Sequence, residues 1–513
     1  MIEKNNMDLP VKLSEMSAAL QKITDPRMFF ALFFYICRKN LQFTTNLLSS
    51  EISISKKNDL INSIQIFDEN NKFILTQNIR DEYFEDENNF CIFLTAVLKK
   101  FDTDIFTNSI DTQNYSSNKS GIYFYKPFNL PAEFKSKRCC IIPIPKTIIS
   151  DEIIYARNQK NTYTNMFGFV ENCIVLFLDE FKYDLKIEPI SKKNKFITNL
   201  LENKSNLKIG VSSICKDIDY ELKIYEECKV NNSVPFCFSG ISSPSRIKMK
   251  KLITEILAEC KNKNTDIVIF PELTVDNDIL HTISQWLLYY NKEKIIKIII
   301  AGSFHFESEK MEKQPIKFPL ENRCAILSYN GEILWQHTKL QIFKLIADNL
   351  KKNPDFSKIN NIPEDVNELP EHIGIGNKLQ IIDSPIGRIV VLICLDFLEP
   401  DINYILTQTY SNLIFIPAMT KSIDPFKDYS DKLSLDCNAI VFLSNSCWLR
   451  NSFGKSNNSF YSIPVKDKTF TTVKCANIPL SENNEEIKTE IKKIVEAKDI
   501  ICKNYCLDII EIP

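Results

Sequence analysis

The chain has 513 residues, of which 44% are hydrophobic and 25% charged, as expected for a globular protein of two or more domains. Its 63 basic and 65 acidic residues give a formal net charge of −2, which excludes a strong overall field for nucleic acid or an anionic membrane. Sixteen scattered cysteines without a CxxC pair, and only four histidines, supply no zinc-binding spacing. We therefore expect a cytoplasmic protein with reduced thiols, no metal and no cofactor.

The N-terminal part combines apolar helices with short strands. Residues 12–50 and 88–101 are predicted to be helical, and strand-like runs follow up to about residue 185. The most apolar early stretch, residues 28–37, is too short for the roughly 20 residues that span a bilayer, so we expect a core helix and no membrane partner. Polar segments at 188–196 and 202–208 are linker candidates. We predict a mixed α/β domain over residues 1–200, and the sequence leaves its protein or nucleic-acid partner open.

The pattern changes from residue 207 onward. Apolar strands alternate with amphipathic helices, and Asn330-Gly331 marks a β-hairpin. The predicted strands include "LKIGVSSI", "DIVIFPE", "IIKIIIAGSF", "RIVVLICLD", "SNLIFIP" and "NAIVFLSN". Such strands need cover on both faces or a facing sheet. We predict a second α/β domain over residues 205–513, with helix-backed sheets packed face to face.

Three polar residues stand where apolar strands end: Glu272, Lys339 and Cys394. Each alone also fits a structural role, as a charge at a helix start, a solvated lysine or a small buried thiol. A nucleophilic cysteine needs a base, and the histidines form no familiar Cys/His signature, so a carboxylate is the candidate base. The ordered set Glu, Lys, Cys therefore predicts thiol chemistry.

With its flanking sequence, this ordered set resembles the nitrilase or carbon–nitrogen hydrolase superfamily over about residues 207–513. The resemblance is carried by "DIVIFPE", "AGSF", "NRCAILSYNGEILWQHTKL", "DSPIGRIVVLICLDFLEPD", "NLIFIPAM" and "NAIVFLSNS". It implies an α-β-β-α sandwich, frequent homo-oligomers, and hydrolysis or transfer at non-peptide amide or nitrile carbon–nitrogen bonds. The expected substrate is a small amide or nitrile.

The same resemblance implies roles for individual residues. Glu272 would be the general base, Cys394 the nucleophile and Lys339 the stabilising cation, with the backbone N–H of Leu395 as an oxyanion donor. The family's second glutamate matches Glu371 best, and its rivals are Glu368 and Glu364.

Several departures from the family pattern leave the substrate open. Leu395 stands where many relatives have tyrosine, and residues 433–438 read "LSLDCN" without the usual arginines and glutamate. The long segment 341–375 is a candidate lid or oligomer contact. Two readings remain: a thiol-dependent hydrolase with an N-terminal accessory or regulatory domain, or a nitrilase-fold binding or signalling module, for example in bacterial antiviral defence.

Overall fold

The structure is a computed structural model. It describes residues 7–66, 73–75, 81–107, 124–134, 136–145, 170, 172–202, 204, 206–214, 218–307, 320–347, 365–420, 422–446, 459–466, 473–479, 496–502 and 505–512. Within these ranges, every helix is too short or too polar to cross a lipid bilayer.

The described residues form two compact units, which divide along the chain at Tyr183. This division lies ahead of the boundary expected at residues 200–205. The reason is that the linker candidate 188–196 is structured: residues 184–189 form a strand of the larger unit, and a helix begins at Lys195. Residues 183–202 therefore belong to the larger unit.

Among the described residues, the smaller unit contains five α-helices and a three-stranded antiparallel sheet. The helices are α1 (Leu13–Leu20), α2 (Pro26–Lys39), α3 (Leu41–Leu48), α4 (Glu51–Ser63) and α5 (Glu87–Phe101). The strands are β1 (Phe128–Asn129), β2 (Arg138–Pro143) and β3 (Cys173–Phe177). Helix α2 carries the apolar stretch 28–37 and buries Phe29 and Phe33 against α5. The stretch is a core helix, as its length predicted.

The larger unit contains, within the described ranges, five α-helices and most of the strands. The helices are α6 (Lys195–Glu202), α7 (Ser243–Asn262), α8 (Asn277–Tyr290), α9 (Pro400–Gln408) and α10 (Asp424–Cys437). The strands are β4 (Asp184–Pro189), β5 (Leu207–Ser213), β6 (Tyr220–Ile224), β7 (Phe236–Ile241), β8 (Ile267–Ile269), β9 (Ile298–Ile300), β10 (Phe304–Glu307), β11 (Leu320–Ser328), β12 (Ile333–Thr338), β13 (Lys344–Ile346), β14 (Glu368–Pro370), β15 (Lys378–Ser384), β16 (Gly387–Val391), β17 (Leu413–Ala418), β18 (Ile440–Asn445), β19 (Phe460–Lys466), β20 (Val473–Pro479), β21 (Glu496–Cys502) and β22 (Tyr505–Ile512).

Two large sheets dominate this unit. The first has the strand order β10-β11-β9-β8-β5-β22-β21, with β12 also paired to β11. The second has the order β20-β19-β18-β17-β16-β15-β4. In the first sheet β5, β8 and β9 run parallel, and in the second β16, β17 and β18 do. Parallel strands place their carboxyl ends, and the residues that follow them, at one edge of a sheet.

The two sheets face each other, and helices cover their outer faces. Strands β5 and β18 adjoin across the interface, where Ser444 Oγ donates a hydrogen bond to the carbonyl of Ser212 at 2.6 Å. Apolar residues of α7 and α8 join the core cluster of the first sheet, while α10 packs on β18 and β19 of the second. The layer order is helix, sheet, sheet, helix, which is the sandwich expected for residues 205–513.

Candidate active site

Glu272 follows strand β8 and is only 2% exposed. Its Oε1 accepts hydrogen bonds from Lys339 Nζ at 2.9 Å and from Asn322 Nδ2 at 3.0 Å. Its Oε2 accepts one from the backbone N–H of Met419 at 3.0 Å. A buried carboxylate is tolerated only with such partners, so Glu272 sits in a pocket built to hold a charge.

The backbone on both sides of Glu272 is sharply turned. Leu273 adopts φ +59, in the left-handed region that a leucine rarely occupies. Gly302, from the "AGSF" segment after β9, has φ +70, and a Cβ there would collide with the carbonyl oxygen of Pro271. A glycine is required at this position because the backbone before Glu272 comes so close.

Lys339 follows β12 and lies between two carboxylates. Its ammonium donates to Glu272 at 2.9 Å and to Glu371 at 2.8 Å, and the residue is 1% exposed. A buried ammonium paired on both sides keeps its charge and has a fixed position.

Glu371 follows β14 and receives three donors. Its Oε2 accepts from Lys339 and from the backbone N–H of Phe343 at 2.9 Å, and its Oε1 is 3.3 Å from His305 Nε2. The rival Glu368 instead forms an exposed ion pair with Lys344 at 3.1 Å. Glu364 lies outside the described residues. Of the two described candidates for the second glutamate, Glu368 and Glu371, only Glu371 contacts Lys339.

Cys394 begins a 3₁₀ turn, Cys394–Leu398, just after β16, and adopts φ +50. A non-glycine residue in this conformation is strained, and such strain is frequent at functional sites. The charges of Glu272 and Lys339 both act on the buried thiol, and Cys394 is 3% exposed. The next residue, Leu395, is half-buried, and its N–H belongs to the first turn, where helical N–H groups lack partners within the helix.

Asp396 ties this strained turn to the strand end that carries Lys339. Its Oδ1 accepts the backbone N–H groups of Leu340 at 2.8 Å and Gln341 at 2.9 Å. Its Oδ2 accepts from Ile393 N–H at 3.2 Å and from His337 Nε2 at 2.9 Å. Sequence reasoning assigned Asp396 no role, although an acid two residues after the cysteine, at the end of an apolar strand, was a usable signal.

Sequence reasoning also missed two side chains that bind the glutamates. Asn322 contacts Glu272, and His305 contacts Glu371. They lie on the neighbouring strands β11 and β10, Asn322 between two charged residues and His305 between two phenylalanines, and no motif distinguished them. Only the pairing of the strands brings them to the site.

The buried groups of the site have shifted pKa values, and the two carboxyl groups shift in opposite directions. Burial raises the pKa of Glu272 more than the Lys339 ammonium lowers it, and the charge of Glu371 adds to the increase. Burial also raises the pKa of Glu371, but Lys339 and the hydrogen bond from His305 outweigh it and lower that pKa to about 2. Burial lowers the pKa of Lys339, yet both carboxylates outweigh this effect and raise it.

The pKa of the Cys394 thiol is raised, first by burial and then by the charge of Glu272, against the opposing effect of Lys339. The resting site therefore holds a protonated thiol, an ammonium and an ionised Glu371. Glu272, with its raised pKa, is the group best suited to exchange a proton with the thiol. Because these groups are in contact, their titrations are coupled.

Over the described ranges, no cluster of three or more His, Cys, Asp or Glu side chains is arranged to hold a metal ion. The carboxylate oxygens of Glu272 and Glu371 instead accept hydrogen bonds from N–H donors within the chain. The arrangement is suited to proton transfer and to stabilising a negative charge next to Cys394.

No protein-family profile and no curated protein matches the chain. Solved structures of nitrilase-superfamily members do match it. Nit3 from Saccharomyces cerevisiae, of branch 10 of that superfamily, is 13% identical, with 56% of this chain and 94% of that chain covered and a TM-score of 0.32. An amidase from Nesterenkonia sp. is 10% identical, with coverages of 60% and 90% and a TM-score of 0.33. Glutamine-dependent NAD+ synthetase from Acinetobacter baumannii is 13% identical, with coverages of 53% and 43% and a TM-score of 0.33. At these identities the likeness concerns the fold alone.

Proposed function

We propose that the larger unit is a carbon–nitrogen hydrolase that cleaves small non-peptide amides or nitriles through a thioacyl intermediate on Cys394. The observation that supports this proposal is the contact network of Glu272, Lys339, Glu371 and Cys394, which come from four separate strand ends and are all buried. A structural role alone does not require a strained cysteine next to a carboxylate and an ammonium. The smaller unit would serve as an accessory or regulatory domain.

For an amide, the first half-reaction forms a carbon–sulfur bond. Glu272 accepts the thiol proton while Cys394 Sγ attacks the carbonyl carbon, which gives a tetrahedral oxyanion. Lys339 and the backbone N–H of Leu395 are the proposed donors to this oxyanion, and one such donor contributes about 3 kcal/mol to catalysis. The carbon–nitrogen bond then breaks, and Glu272 returns its proton to the leaving amine.

The second half-reaction releases the acid. Glu272, again a carboxylate, takes a proton from water as the water oxygen attacks the thioester carbon. The carbon–sulfur bond breaks, and the thiolate of Cys394 recovers the proton. Glu371 acts on neither bond: by its contact with Lys339 it keeps the ammonium charged and in place.

The decisive experiment traps the acyl group. The wild type is incubated with a panel of small amides and nitriles and quenched in acid during turnover, and its intact mass and Cys394-containing peptide are measured. We expect a mass increase equal to the acyl group on Cys394, and none in Cys394→Ala or in Glu272→Gln, which lacks the base that the first half-reaction needs. Full turnover of an identified amide by Cys394→Ala alone would reject the assignment of the nucleophile. Absence of turnover and of any adduct across the panel would favour the binding-module alternative.

A further inference from the structure

Three residues of the site form one row across neighbouring strands. His305 on β10 pairs directly with Asn322 on β11, and directly paired residues of antiparallel strands point to the same face. The backbone N–H of Lys339, just after β12, donates to the carbonyl of Asn322 at 2.8 Å. The row therefore places an imidazole, a carboxamide and an ammonium side by side.

The members of this row supply the two glutamates with matching sets of donors. Glu272 receives the Lys339 ammonium, the Asn322 side chain at 3.0 Å and one backbone N–H, that of Met419. Glu371 receives the same ammonium, the His305 side chain at 3.3 Å and one backbone N–H, that of Phe343. Each carboxylate thus has one shared donor, the Lys339 ammonium, and two further donors of its own.

The tautomer of His305 is determined by the backbone. The N–H of Phe238 donates to His305 Nδ1 at 3.1 Å, so the ring proton is on Nε2 and points at Glu371. Protonation of Nδ1 would bring two N–H groups face to face. His305 consequently donates the Nε2–H to Glu371.

We propose that His305 and Asn322 are positioning residues that keep Lys339 balanced between the two glutamates. The inference rests on the proposed function, in which Lys339 must remain close to both Glu272 and the reacting carbon. Without the His305 donor, Glu371 has one partner fewer and draws Lys339 toward itself, away from Cys394. Without the Asn322 donor, the charged form of Glu272 loses a stabilising bond, and the base becomes harder to ionise.

The two losses have different signatures. His305→Phe keeps an aromatic ring and removes the donor. We expect kcat to fall by about 10- to 100-fold, the range for the loss of one hydrogen bond to a buried charge. KM should change by less than about 3-fold, because the substrate does not contact His305. Alkylation of Cys394 by iodoacetamide, followed by peptide mass spectrometry, should slow by at least about 10-fold, because Lys339 favours the thiolate. His305→Gln, whose carboxamide can donate to Glu371, should recover most of both rates.

Asn322→Leu should instead move the acid limb of the pH–rate profile to higher pH. The charged groups that face Glu272 are Lys339 and Glu371, with the Cys394 thiol as its titratable neighbour, and none of them is altered by this substitution. His305→Phe should leave that limb closer to its original position, since it removes no donor from Glu272. A purely structural role of the row would not separate the two variants in this way.

His281→Phe, at an exposed position on α8, is the matched control and should leave both rates unchanged. The proposal is overturned if His305→Phe alkylates and turns over as the wild type does, or if it changes KM alone. If His305→Phe fails to unfold cooperatively in urea, His305→Gln tests the proposal instead. This variant must be folded and must retain turnover and alkylation; a folded His305→Gln that loses both would overturn the proposal. Because alkylation needs no substrate, a wild type that hydrolyses no amide would reject the proposed function while the positioning of Lys339 is still tested.

Discussion

The Nζ atom of Lys339 lies 2.9 Å from Oε1 of Glu272, although 67 residues separate the two in sequence. Both side chains are buried, so this contact was formed at the expense of their hydration. Loss of one partner from such a pair strongly destabilises the protein, because the remaining buried charge has no water molecules to take the place of its lost partner. This property gives the first prediction.

Replacing Lys339 with methionine should destabilise the protein by about 3–5 kcal/mol, since it leaves two buried carboxylates facing each other without a cation. Urea unfolding of the variant measures the change. Lys344→Met removes an ion pair of similar length, to Glu368, that is exposed on both sides, and it should cost less than about 1 kcal/mol. Equal losses in the two variants would contradict the buried-pair interpretation.

The left-handed conformation of Cys394 predicts an unusual order of stabilities. At an ordinary position alanine is preferred over glycine, but at φ +50 glycine avoids a strain of about 1–2 kcal/mol. We therefore expect Cys394→Gly to unfold at higher urea concentration than Cys394→Ala, and both variants to lack turnover. The matched pair is Cys324→Gly and Cys324→Ala inside β11, where the order should be reversed. The same order at both positions would argue against strain at Cys394.

Asp396→Asn should loosen the turn that carries Cys394. Asp396 accepts four hydrogen bonds on two oxygens, whereas asparagine replaces one of these oxygens with a donor. We expect a loss of stability of about 1.5–3 kcal/mol together with lower kcat, measured by urea unfolding and by turnover. Asp428→Asn, at an exposed position on α10, should leave both unchanged. Unchanged kcat in a destabilised Asp396→Asn protein would limit this residue to a folding role.

The raised pKa of the Cys394 thiol predicts the pH dependence of its alkylation. A thiol reacts as thiolate, so the rate in the wild type should keep rising beyond pH 9. Glu272→Gln removes the neighbouring negative charge that raises this pKa, so deprotonation becomes easier and the curve should move to lower pH. Rates of iodoacetamide addition at Cys394 between pH 6 and 10 measure both curves. A shift of the Glu272→Gln curve to higher pH would contradict the contact.

Much of the larger unit was predictable from local pattern. The hairpin at Asn330-Gly331 forms between β11 and β12, and helices such as α8 alternate with the apolar strands. These elements depend on periodicity and turn chemistry, which are properties of neighbouring residues. The linker candidate 188–196 is structured because it starts in strand β4, whose Glu188 and Pro189 pair with β15 almost two hundred residues later in the chain, and no local pattern reports such a partner.

The candidate site divides in the same way. Glu272, Lys339 and Cys394 were identifiable because each is a polar residue at the end of an apolar strand, and the sequence by itself determined that order of side chains and the elements that carry them. Only the tertiary structure decided that Glu371, and not Glu368, is the second glutamate in contact with Lys339. It also showed that His305, Asn322 and Asp396 complete the network. The physical reason is that strand pairing and sheet packing set distances between residues remote in sequence. A hydrogen bond depends on tenths of an ångström that composition and spacing do not encode.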